Sequence, residues 1–196
     1  MQVRPVSRAG LVGLITSATT NDTQNVAIDG APPARPDELA EAVVASLRDH
    51  GRQAIHVRAA DYLRPASLRF ELGRTNPESY YEHWVDLSAL GREALNRSGR
   101  VLPTFWNAET DRATRAGYVE ADLVVLSGQL LLGAGLDLDV SVHLGMSMLV
   151  LSRRMPPELA WTLPAFERYD GEVSPASFAD IVVRMNDPDH PAVMDV

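Results

Sequence analysis

Between an apolar run and an amphipathic helix the chain carries a loop with the spacing of a phosphate cradle. Val26-Ala27-Ile28-Asp29-Gly30 reads as a short strand, Ala31-Pro32-Pro33-Ala34-Arg35-Pro36-Asp37 as the loop, and Glu38 to His50 as a helix. In the pattern G-x-x-x-x-G-K-[ST] the glycines let backbone NH groups point at phosphate oxygens. The lysine reaches the outer phosphates, and the hydroxyl holds magnesium. Counted from Gly30, Arg35 stands at the second glycine, Pro36 at the lysine and Asp37 at the hydroxyl. Pro32, Pro33 and Pro36 have no NH to give. An ionised Asp37 at the helix start is expected to cap that helix and to repel an anion. All 18 basic residues are arginine, so no lysine elsewhere can substitute. Arg35 is placed to offer a guanidinium, a good phosphate partner, in place of the lysine.

The elements around this loop follow from periodicity. Residues 6 to 18 carry a rough helical stripe, Leu39, Val43 and Leu47 mark the buried face of the helix after the loop, and Gly51 stops it. Further strands are expected at Gln53 to Arg58, Asp122 to Ser127, Leu136 to Leu144 and Ile181 to Met185, with a helix from Gly145 to Arg154. Strands separated by helical or mixed segments indicate a parallel α/β sheet. Residues 64 to 120, rich in Arg, Tyr and Trp, read as an insertion covering a substrate, and the proline-broken stretch at about 155–170 as a lid. Asp137, Asp139 and His143 fall on one face at period two, but three such groups without a supporting shell do not make a metal site, and none is expected.

Composition narrows the classes. The 196 residues suit one domain, and 45% hydrophobic content suits a core. No stretch approaches the roughly 20 apolar residues of a membrane span. The N-terminal residues lack a secretory pattern, so a cytoplasmic protein is expected. Without cysteine there is no disulfide, thiolate metal site or cysteine nucleophile. A net charge of -8 argues against nucleic acid as a partner.

Several segments, in order, resemble one family. They are Val26-Ala27-Ile28-Asp29-Gly30; Ala60-Asp61-Tyr62-Leu63-Arg64-Pro65; Gly73 to Tyr81; Val124-Val125-Leu126-Ser127-Gly128; Arg153-Arg154; Glu167-Arg168-Tyr169; and Ala179-Asp180-Ile181-Val182-Val183. The chain resembles bacterial uridine kinase-like P-loop proteins, of the nucleoside kinase and phosphoribulokinase group. The resemblance implies a three-layer P-loop fold over residues 1–196, with a parallel five-stranded sheet, helices on both faces and a lid. It also implies where the chemistry of a kinase should sit, and four of those positions are altered. The lysine and the magnesium hydroxyl become Pro36 and Asp37, the general base becomes Ala60, and the acid ending strand three becomes Ser127.

Phosphoryl transfer rests on positioning and charge neutralisation, so these losses argue for a non-catalytic ligand-binding or interaction protein with a degenerate phosphate loop and no cofactor. The alternative is a kinase of a nucleoside or related small molecule using Mg-ATP, with Asp61 as displaced base. On either reading the resemblance implies Gly30, Arg35 and Arg154 for a nucleotide and Tyr62, Arg74, Tyr81, Trp106 and Arg168 for a substrate. The expected partner is an anionic or nucleoside-like small molecule, and a homodimer stays open.

Overall fold

Five apolar runs form the parallel heart of the fold, and the two ends of the chain extend it. The computed structural model describes residues 2–195. Its strands are β1 (Gln2–Pro5), β2 (Asn25–Gly30), β3 (Ala54–Arg58), β4 (Arg100–Val101), β5 (Trp106–Asn107), β6 (Arg112–Ala113), β7 (Val119–Glu120), β8 (Leu123–Gly128), β9 (Val140–Gly145), β10 (Ile181–Arg184) and β11 (Ala192–Asp195). Its helices are α1 (Arg8–Ala18), α2 (Pro36–Asp49), α3 (Ala66–Arg69), α4 (Pro77–His83), α5 (Leu87–Glu93), α6 (Met148–Arg154), α7 (Leu163–Glu172) and α8 (Pro175–Phe178).

The main sheet has seven strands in the order β1-β11-β10-β9-β2-β8-β3. Strands β10, β9, β2, β8 and β3 are parallel, whereas β11 runs antiparallel to both β10 and β1. The parallel five are those expected from the apolar runs. Central β2 is buried at every position, which is why it reads as a continuous apolar stretch rather than an alternating one. The expected five-stranded sheet is thus extended to seven at one edge by two short strands, antiparallel β11 and, beyond it, β1.

Residues alternate between two faces. Val26 and Ile28 of β2, Val125 of β8, Val142 of β9 and Val183 of β10 meet Leu11 and Ile15 of α1 and Leu39, Val43 and Leu47 of α2. We term this the front. On the back, Val57, Val124 and Leu126 pack on Ala89 and Leu90 of α5, while Ala27 packs on Tyr169 of α7.

Two boundaries, the starts of β9 and α6, differ from the sequence reading. Strand β9 begins at Val140, because Asp137 and Asp139 belong to the preceding loop. There both accept hydrogen bonds from Arg97, at 2.8 Å each from Nη2, and Asp139 also accepts from the amides of Gln24 and Asn25 at 2.8 and 2.9 Å. The alternation of acids with leucines therefore reflects a loop clamp and not a strand face, and it separates both acids from His143. Helix α6 begins at Met148 rather than Gly145. The segment read as a lid is a 3₁₀ turn, Pro157–Thr162, leading into α7. It is packed down: Phe166 and Met155 are buried with Tyr80 of α4, and Trp161 meets Tyr80 edge-on at 5.4 Å.

Candidate functional site

The loop after β2 lies at the C-terminal ends of the parallel strands, between β2 and β8, where the chain order reverses across the sheet and open α/β sheets gather ligands. A cleft of about 550 Å³ opens there, walled by Pro32, Arg35 and Asp37 of the loop region, Ala60 after β3, Ser127 at the end of β8, and Trp84 of the insertion.

The backbone of the loop is spent on itself. Pro32–Ala34 forms a 3₁₀ turn in which the amide of Ala34 donates to the Ala31 carbonyl at 2.8 Å and that of Arg35 to the Pro32 carbonyl at 3.0 Å. With Pro32, Pro33 and Pro36 lacking an NH, five consecutive loop positions from 32 to 36 offer no amide to a phosphate. The fully buried Ala34 belongs to the front core and pins the turn. Arg35 adopts the left-handed conformation, φ 57°, at a position where the phosphate-binding pattern has glycine. Helix α2 starts with Pro36 at its first position, so Asp37 is not its cap, contrary to the sequence expectation, and Arg35 at the cap makes no side-chain capping bond.

Asp37 is engaged across the cleft instead. The Ser127 hydroxyl, buried, donates to Asp37 Oδ1 at 2.6 Å, and the His56 Nε2–H donates to Ser127 Oγ at 2.8 Å. Burial of His56 pushes its pKa below the ordinary imidazole value, against the raising influence of Asp37, Glu41 and Asp61; nearby Arg58 lowers it further. The chain from β3 to β8 to α2 thus ends on a carboxylate, and the surrounding charge is largely negative. Cations nearby are paired. Arg35 reaches Asp189 at 3.3 Å and Glu38 at 3.9 Å, and Arg58 holds Asp61 through two 2.8 Å bonds.

No protein-family model matches the chain, and no curated protein matches its sequence. Solved structures do. A candidate uridine kinase from Bacillus stearothermophilus superposes with a TM-score of 0.72 at 20% identity, covering 89% of this chain and 96% of that one. The chain has the fold of P-loop kinases. A candidate fructose transport system kinase from a Silicibacter species agrees at a TM-score of 0.59 and 21% identity, covering 89% of this chain and 90% of that one. At these identities the likeness is one of fold.

Within the P-loop kinase fold the residues singled out by sequence scatter. Gly30 and Arg35 line the cleft. Asp61 lies beside it, tied to Arg58, while Ala60 faces the cleft in its stead. Arg154 pairs with Asp187 at 3.7 Å. Tyr62 is fully buried, donates to the Leu102 carbonyl and stacks on Phe105. Arg74 covers the ring of Phe70, and the Trp106 indole donates to Asp111 at 3.2 Å. Arg168 is clamped by Glu78, Glu82 and Glu172 above the ring of Tyr81. These arginines and aromatics mostly bind one another and their neighbours rather than converge on the cleft; the aromatic walls it does have, Tyr80 and Trp84, come from α4 and its C-terminal cap. The polar chain through His56 went unread in the sequence. Its signal was present: period two in Ala54 to Arg58 puts His56 on the face of Ala54, toward α2.

Proposed function

We propose that the protein uses the P-loop kinase fold without transferring phosphate, as a module that binds a small molecule other than a nucleoside triphosphate, or a protein partner such as a second copy of itself. One observation carries this reading: the five positions from 32 to 36 present no free amide, by proline or by bonds within the 3₁₀ turn, and the cleft behind them faces the Asp37 carboxylate. Mg-ATP does not fit such a site. Its phosphates would meet Pro36 where the phosphate-binding pattern supplies lysine, no free loop NH, and a carboxylate, Asp37, where the pattern supplies a hydroxyl.

The test is restoration. The triple variant Arg35→Gly, Pro36→Lys and Asp37→Ser returns the glycine, cation and hydroxyl. Calorimetric titration with Mg-ATP should show saturable binding to this variant and none to the unaltered protein up to millimolar nucleotide. Binding by the unaltered protein would overturn the proposal. Failure of the folded variant to bind would remove the loop as its cause.

A second reading, an ATP-dependent kinase of a nucleoside or related small molecule, draws on one feature. Ser127 and Asp37 lie 2.6 Å apart with hydroxyl and carboxylate in exchanged places relative to the resemblance drawn from sequence, so the pair persists in reversed order. Turnover of uridine or cytidine with ATP, lost in Asp37→Ala, would favour it.

A further inference from the structure

On the back of the sheet, across β2 from the polar chain of the cleft, lies a second cavity of about 270 Å³. Its floor holds a carboxylate. Asp29, next to the C-terminal end of β2, is fully buried. Its Oδ1 accepts from the Leu131 amide at 2.9 Å, and its Oδ2 accepts from His143 Nδ1–H at 2.8 Å and from the Tyr169 hydroxyl at 3.2 Å. The Tyr169 oxygen in turn accepts from the Leu132 amide at 2.9 Å. Burial and the Asp29 charge drive the Tyr169 pKa upward, so the phenol stays protonated and donates.

A carboxylate only accepts, so the proton of a neutral His143 ring sits on Nδ1 and its lone pair on Nε2. That Nε2 has no hydrogen-bond partner among the described residues, yet it is not a sealed orphan atom. It borders the cavity, and a Cβ on neighbouring Gly145 would stand 3.4 Å from it. Beside this acceptor stand apolar walls, Leu130, Met146, Met148, Leu151 and Phe166, while Ser147, Asp170, Arg184 and Asn186 line the rest of the cavity. A largely apolar pocket with a few fixed polar groups is the composition of a small-molecule site. Asp29 behind the ring and Asp170 at the wall disfavour an anion beside His143, and Arg184, also at the wall, disfavours a cation, so the charges present favour a neutral molecule.

We propose that this cavity binds a small, uncharged, largely apolar molecule carrying a hydroxyl donor, with His143 Nε2 as the acceptor and Asp29 as the group that fixes the tautomer. Gly30 borders both cavities, but His143, Asp29 and Gly145 lie outside the loop, and the proposal does not depend on the loop reading.

Phenol is the probe, with anisole as a near-isosteric control lacking the donor. Ring resonances of the five histidines are followed by NMR in protein with labelled histidine, His143 being assigned with His143→Gln. The His143 signals are expected to move saturably with phenol, with anisole at least about tenfold weaker, the worth of one hydrogen bond. The folded variant Gly145→Val, which fills the space beside the ring and leaves the dyad in place, should abolish the response. An unmoved His143 signal up to the solubility limit of phenol, equal response to anisole, or undiminished binding by Gly145→Val would each overturn the proposal.

Discussion

Ser127 and Asp37 show what single residues decide here. Each is the other's hydrogen-bond partner, and His56 leans on the same hydroxyl. Ser127→Ala should lower stability by about 1–3 kcal/mol in urea unfolding, since the half-buried Asp37 carboxylate loses its donor. Ser127→Asp should cost more, because it sets two carboxylates in contact. The double variant Asp37→Ser with Ser127→Asp should recover at least about 1 kcal/mol of that loss, a coupling readable from the double-mutant cycle. Additive losses would mean that the pair does not interact in solution. His56 supplies a pH test. Its folded pKa is lowered by burial, so its contribution to stability is fully present above the ordinary value of about 6.5 and is lost as pH falls from there through the folded value. His56→Gln should flatten that part of the stability curve, measured as urea midpoints between about pH 8 and 5.5. His190, fully exposed beside Asp187, is shifted upward and acts in the opposite sense, so His190→Gln serves as the control of sign.

The elements were legible in proportion to how local their signals are. The strands at 25–30, 54–58, 123–128 and 181–184 fall within a residue or two of the apolar runs that announce them, because parallel strands buried on both faces need unbroken hydrophobic sequence. Strands β1 and β11 carry no such signal. They are four residues each and exist by pairing the two ends of the chain, Val3 opposite Met194, a contact no local window contains. The early start assigned to β9 came from Asp137 and Asp139, whose spacing serves Arg97 and the amides before β2. The candidate site was half legible: Gly30, Arg35 and Asp37 came from loop spacing, whereas the partnerships of Asp37 with Ser127 and of Asp29 with His143 span 90 and 114 residues. Close packing of elements makes a further prediction. A Cβ on Gly128 would stand 2.7 Å from that of Ala59, where the turn after β3 crosses β8. Gly128→Ala should therefore cost about 1–3 kcal/mol by overpacking, against little change for Gly117→Ala, which meets nothing within 4 Å, in chemical unfolding.

For the whole molecule, our proposal is that fold and activity separate. The backbone follows a candidate uridine kinase over 89% of the chain, so the sheet order and the crevice at its reversal are kept. What phosphate binding requires is a handful of amides, one cation and a hydroxyl at that crevice, and here the 3₁₀ turn with its prolines, Pro36 and Asp37 take those places. A fold specified by its core can retain shape while its site changes character, because the core clusters and the loop donors are different atoms. The most direct measurement is thermal unfolding of the unaltered protein against ATP, with and without magnesium. A bound ligand at 100 times its dissociation constant adds about 2.7 kcal/mol and would raise the midpoint of a domain this size by roughly 5 to 10 °C. The account predicts an unchanged midpoint to millimolar ATP; a saturable, magnesium-dependent rise would contradict it.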